Sequence, residues 1–255
     1  MNYRFELFMD LSFFDIFLAL LVVAIGTAVQ TSIGFGLAMV AAPALLLIDR
    51  QFVPAPLIVA ALVLVSWMSW DERGAINKAH FKAALAGRLC GSPPAAFLIG
   101  TMSALAFDIV FGVLVLLGVL ISLIHSNIRA TPKTVFFATM ASGFMSVISS
   151  IGGPPVALIY QNSKGPELRA NLSALFVLGC IVSLISLAFV GRFSLMDFYR
   201  GTLLSIGVLI GVPLARPLQK HLDRQKARPY LLGLCAISAL LVLIKAGLEM
   251  SEFYF

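Results

Sequence analysis

Gln30-Thr31-Ser32-Ile33-Gly34-Phe35-Gly36 interrupts one long apolar stretch of this chain, and Ser149-Ser150-Ile151-Gly152-Gly153-Pro154-Pro155 interrupts another. The first break lies between Ser12–Val29 and Leu37–Ile48, the second between Thr134–Ile148 and Val156–Tyr160. Each unit reads as helix, polar glycine-rich break, shorter helix. A helix cannot run through Gly153-Pro154-Pro155, because proline lacks an amide donor and clashes with the preceding turn. Two glycines weaken the helix at Gly34-Phe35-Gly36. The segments 12–48 and 134–160 are therefore expected to be broken helical hairpins.

Outward from these breaks lie six uninterrupted apolar runs, 54–70, 81–99, 107–124, 168–190, 197–217 and 229–247. At about 1.5 Å per residue, each covers most of a hydrocarbon core about 30 Å thick. Of the 255 residues, 60% are apolar and 12% charged, against about 25% charged in soluble domains. With a mean hydropathy of +1.00, the composition excludes an ordinary soluble enzyme, a disordered chain and a nucleic-acid module. The runs are continuous and do not alternate, which excludes a β-barrel. The fold expected is an all-α polytopic membrane protein. Asp10 and Asp15 precede the first apolar stretch and no Ala-x-Ala site follows it, so that stretch is read as part of the mature protein.

The chain echoes itself. Ser32-Ile33-Gly34 recurs as Ser150-Ile151-Gly152, 118 residues later, and Gly74 is echoed by Gly191 at 117. Pro93 recurs as Pro213 and Leu123-Ile124 as Leu243-Ile244, both at 120. A near-constant offset along the whole chain points to two repeats. The expected division is an N-terminal segment 1–11, repeat 12–124, linker 125–133, repeat 134–247 and tail 248–255.

Charge chooses between hairpins that turn back and segments that cross. If both turn back, Arg73, Lys78, Lys82, Arg88, Arg129, Lys133, Lys164, Arg169, Arg216, Lys220, Arg224, Lys226 and Arg228 share one side. Only Arg4, Arg50, Arg192, Arg200 and Lys245 remain on the other, a split of 13 against 5. If both cross, the split is 8 against 10. Cytoplasmic loops are rich in Lys and Arg, so the re-entrant reading is favoured. Three full spans per repeat then invert the second repeat relative to the first. Such inverted repeats with broken helices place a substrate site near the midplane.

At a hairpin tip the second helix begins with amides that have no partner in the helix, and its dipole favours an anion. Glycine lets a ligand approach the backbone. Gln30, Thr31, Ser32, Gly34, Gly36, Ser149, Ser150, Gly152, Gly153 and Pro154 are accordingly candidate substrate-binding residues. Arg88 lies six residues beyond Lys82, about 9 Å deeper along its helix, where an ionised group is costly and often functional. Arg169 and Asn171 open the run after the second hairpin and are candidates for the same cavity or for the membrane interface. Asp108 is a weak candidate for a coupling proton, with helix capping the plainer reading. His80, His125 and His221 fall in or beside loops and read as solvated. Cys90, Cys180 and Cys235 are far apart and form no metal motif, and no cofactor or metal is expected. Trp67 and Trp70 suit an interfacial belt, and Arg216–Arg228 an anionic lipid surface rather than nucleic acid. No HExxH, GxSxG or Walker sequence is present, so the chain is not expected to be an enzyme.

Both breaks, together with Gly74-Ala75-Ile76 and Gly211-Val212-Pro213-Leu214-Ala215, resemble the TauE/SafE sulfite exporter family. The resemblance covers about residues 12–247. It implies export or permeation of sulfite, sulfonates or sulfoacetate, with the hairpin regions falling on Gln30–Gly36 and Ser149–Pro155. Phe35 stands where the family often continues a glycine run, and Pro154-Pro155 where many members have further glycine.

The expectation is a secondary transporter of a small sulfur-containing anion in the bacterial inner membrane. The anion would bind between the tips and move as one half shifts against the other. An anion channel and a non-transporting membrane scaffold are the alternatives. Direction, coupling ion (H+ or Na+) and homo-oligomeric state are left open.

Overall fold

The computed structural model describes residues 12–76, 78–124, 128–161, 165–221 and 224–254. Among them are ten α-helices and no strand. In chain order these are α1 (Phe13–Ile33), α2 (Leu37–Ile48), α3 (Ala55–Asp71), α4 (Phe81–Thr101), α5 (Ala104–Leu123), α6 (Pro132–Ser149), α7 (Gly153–Tyr160), α8 (Gly165–Phe189), α9 (Leu195–His221) and α10 (Arg224–Tyr254). Five of them contain windows long and apolar enough to cross a membrane: α1, α5, α8, α9 and α10.

This inventory differs from the expected one in three ways. The arm α1, assigned to a hairpin, is itself 21 residues long, enough for a full crossing. The run 54–70 forms a helix of the expected 17 residues but is shorter than the five long apolar ones, and α4, which carries Lys82, Arg88 and Pro93-Pro94, also falls outside that set. Residues 248–254, expected as a tail, continue α10. Residues 1–11 and the first three of the linker, 125–127 with His125, lie outside the described residues.

The breaks are narrower than the sequence suggests. α1 runs to Ile33, so Gln30, Thr31 and Ser32 are in its last turn. Gly34 ends it in the left-handed region, φ 104°, where a Cβ is strained, and its amide donates to the Gln30 carbonyl at 2.7 Å. Ser150 ends α6 in the same way, with φ 62° and its amide on the Ser146 carbonyl at 2.9 Å. Both short helices then fold back along their long partners. A Cβ at Gly26 of α1 would sit 2.9 Å from the Leu37 carbonyl oxygen, and the Ser142 hydroxyl of α6 donates to the Gly152 carbonyl.

Glycine also sets how the helices interlock. On α4, a Cβ at Gly87 would lie 2.3 Å from the Phe136 carbonyl oxygen of α6, and one at Gly91 2.0 Å from that of Met140. On α9, a Cβ at Gly207 would lie 2.7 Å from the Leu20 carbonyl oxygen of α1, and one at Gly211 2.4 Å from that of Ala24. Backbones approach this closely only where small residues line the contact. α3 packs on α8 and α5 on α10. Phe52, Leu57, Leu64, Phe111 and Leu204 are buried among these helices. Phe13, Phe97, Phe137, Phe189, Leu209 and Ile244 point outward, the apolar exterior that a lipid environment requires.

Candidate functional site

Three groups of helices enclose a cavity of about 60 Å³. The first hairpin contributes Gln30, Phe35, Gly36, Ala38 and Met39, and the second Ser146, Ser150, Ile151, Gly152 and Gly153. α3 adds Ile58, Ala61 and Val65, α8 adds Phe176, Gly179, Cys180 and Ser183, and α4 adds Arg88. By this measure a water needs about 10–15 Å³, so the space suits a few waters or one compact anion.

Among the described residues Arg88 is the only charged one on this wall, and it is 2% exposed. One terminal amino group, Nη1, donates to the Ser146 hydroxyl at 3.0 Å, and Ser146 shares a hydrogen bond with Ser183 at 3.1 Å. Its Nε–H is enclosed and has no partner. Gly179 makes room for the head group, since a Cβ there would lie 2.4 Å from the guanidinium carbon. A buried cation without a carboxylate partner is unfavourable unless an anion completes it.

The two helix starts differ. Leu37, the first residue of α2, donates its amide to the Gln30 carboxamide oxygen at 2.9 Å. Ala38 and Met39 follow on the cavity wall, and their amides have no partner inside the helix by position. In α7, Pro154 and Pro155 occupy the corresponding second and third positions and have no amide to offer. Gly153 is the remaining donor there. The second tip thus presents hydroxyls where the first presents amides.

The cavity brings together Gln30, Gly36, Ser150, Gly152, Gly153 and Arg88 from the expected set. It does not include the rest. The Ser32 hydroxyl donates to the Ala28 carbonyl at 2.8 Å, and that of Ser149 to Met145 at 2.8 Å, so both are absorbed by their own helices. Thr31 and Pro154 are buried behind the wall. Gly34 packs on the Arg169 side chain, and Arg169 is held by Glu72, with Nε 2.5 Å from the carboxylate. Asn171 donates to the Glu167 carbonyl at 2.9 Å. Asp108 does not cap α5. Ser103 does, accepting from the Ala106 amide at 3.2 Å, while Asp108 lies 3% exposed in a two-pronged pair with Arg50. That partner, 58 residues earlier, is invisible to a search among sequence neighbours. His80 is half-buried with Nδ1 enclosed, so it is not a solvated loop residue.

Ser146, Gly179 and Ser183 escaped the sequence reading because they sit inside unbroken helices. A signal existed nonetheless. Phe176, Gly179 and Ser183 stand 118 residues after Ile58, Ala61 and Val65, the spacing of the Ser-Ile-Gly echo, and all six line the cavity.

Compared with known families, residues 18–242 match the model described as sulfite exporter TauE/SafE. No curated protein and no solved structure matches the chain.

Proposed function

We propose, from the premise that the chain belongs to the sulfite exporter TauE/SafE family, that it carries a small sulfur-containing anion through the cavity between its two hairpin tips. The family is one of membrane transporters and not of enzymes, and the helices are those of a multi-pass membrane protein. On our reading the membrane is the bacterial inner membrane, the anion is sulfite or a short sulfonate, and it crosses by alternating access.

The observation that carries this reading is Arg88. It costs free energy where it is, its Nε–H is unused, and it faces a space the size of one anion. A guanidinium edge is suited to an oxyanion, since two parallel N–H donors match two oxygens. The Ala38 and Met39 amides, Ser150 and Gln30 would complete the shell. Gly34, Thr31, Ser32, Ser149, Pro154, Arg169 and Asn171 would shape and support the tips. We assign Asp108 to holding Arg50 and not to proton coupling.

Two inverted repeats, 12–124 and 134–247, remain our reading of the architecture. What supports it is matched packing. α4 meets α6 as α9 meets α1, through Gly87 and Gly91 on one side and Gly207 and Gly211, each 120 residues on, on the other. Tip residue Ser150 donates to the Pro54 carbonyl just before α3, and tip residue Gly34 packs on Leu172 of α8.

The test is counterflow in liposomes. Labelled sulfite should accumulate against excess internal sulfite, and Arg88→Gln should abolish this while the protein still folds. Current without counterflow would instead identify a channel. Undiminished counterflow after Arg88→Gln would remove the basis of the site.

A further inference from the structure

A second cavity, of about 410 Å³, lies next to the first at the ends of the helices where α3, α5 and α9 begin. Its wall holds three guanidiniums, Arg50, Arg192 and Arg200, and one carboxylate, Asp197. Arg50 is already matched: Asp108 takes two of its donors, and Glu249 lies 3.8 Å away. Arg200 donates to Gln51 and is 4.0 Å from Asp197, whose other oxygen accepts from the Ser194 amide at 2.8 Å and hydroxyl at 2.6 Å. For Arg192 the described contact is a backbone carbonyl, that of Gly100, at 3.3 Å. Arg192 is thus the uncompensated charge of this wall, with Arg200 beside it only partly neutralised.

The two cavities share a partition. Ser150 lines the inner one, Pro54 lines the outer one, and the Ser150 hydroxyl donates to the Pro54 carbonyl at 3.1 Å. One hydrogen bond at the tip thus joins the two linings.

We infer that the outer cavity is a second anion-binding site, in which Arg192 and Arg200 hold a small soluble oxyanion on the far side of the Ser150–Pro54 contact from Arg88. Its role as a station on the transport path rests on the function proposed above, but the binding does not. The site is wide enough to hold an anion with its water, unlike the inner cavity. The same chemistry would suit an anionic lipid headgroup, and the test separates the two.

Ala104→Cys places a thiol on this wall, at an exposed position of the first turn of α5. In phosphatidylcholine vesicles its labelling is followed by mass on the peptide carrying position 104, with a sulfonate-bearing and an ammonium-bearing thiosulfonate reagent of equal size. A cationic wall of this kind should favour the anionic reagent by about ten-fold or more. Millimolar sulfate should slow it, and Arg192→Gln, at an exposed position, should remove both effects. Equal rates for the two reagents, or sulfate protection that survives Arg192→Gln, would overturn the site. Loss of the preference when phosphatidylglycerol replaces half the lipid would overturn the soluble-anion reading in favour of a headgroup. Arg88→Gln should leave labelling unchanged while abolishing counterflow, so the two proposals fail separately.

Discussion

The two hairpin tips have the same backbone plan and different chemistry. In each, a long helix ends in a left-handed residue and a glycine two positions later caps the start of a short helix: Gly34 and Gly36 in one, Ser150 and Gly152 in the other. The first tip offers amides and a carboxamide. The second replaces those amides with two prolines and surrounds itself with Ser142, Ser146 and Ser150. The same split runs through the helices alongside. Where α3 places Ala61 and Val65 on the cavity, α8 places Gly179, which meets the Arg88 head group, and Ser183, which reaches it through Ser146. Val208, 120 residues after Arg88, is buried and apolar. Shared geometry therefore builds the cavity, while its charge and hydroxyls lie on one side of it.

The sharpest way to break this comparison is to move the charge. Arg88→Ala should lower counterflow by at least about 100-fold, the scale expected when one partner of a buried charge contact is removed. Val208→Ala, at the apolar counterpart, should stay within about three-fold. Equal losses would mean that the asymmetry has no bearing on transport.

Packing gives the next largest effect. A Cβ at Gly91 meets the Met140 carbonyl oxygen at 2.0 Å, and one at Gly207 meets that of Leu20 at 2.7 Å. Gly91→Ala should destabilise by about 1–3 kcal/mol, the usual range for overpacking, and by more than Gly207→Ala in denaturation of the detergent-solubilised protein. The reverse order would show that α1–α9 is the tighter contact.

A smaller effect is expected at the cap of α2. Gln30→Leu leaves the Leu37 amide without its side-chain acceptor and should cost about 1 kcal/mol, as loss of a helix cap does. The smallest is expected at Ser150→Gly. Relief of the left-handed conformation, about 1–2 kcal/mol, is offset by loss of the hydroxyl bond to Pro54, about 1 kcal/mol. A thermal midpoint within a few degrees of the parent protein is the expected reading, and a large drop would show the tip contact to be worth more.

Much of this was legible in the sequence because lipid imposes simple demands. Long uncharged runs had to be helices, and proline and glycine had to break them. Arg88 stood out as a charge too deep to ignore. What the sequence obscured was register and distant partnership. The Ser-Ile-Gly echo has an offset of 118, yet the left-handed caps Gly34 and Ser150 are 116 apart. The echo is out of step with the geometry by two residues, which is why Ser32 turns into its own helix while its echo, Ser150, caps α6. Gly179 looked like any glycine in an apolar helix until the guanidinium beside it was located. The Arg50–Asp108 pair depends on two chain segments meeting, which local pattern does not reveal.

The glycine contacts of α4 with α6 and of α9 with α1 bear on how such a molecule would move. On the two-repeat reading proposed above, each ties a span of one repeat to the long hairpin arm of the other, backbone against backbone. A motion that parted residues 12–124 from 134–247 would have to unclasp both contacts at once. A cheaper motion keeps each clasped pair whole and pivots one pair about the other. Under the alternating access proposed above, the moving bodies would then be chimeric, each drawing on both proposed repeats.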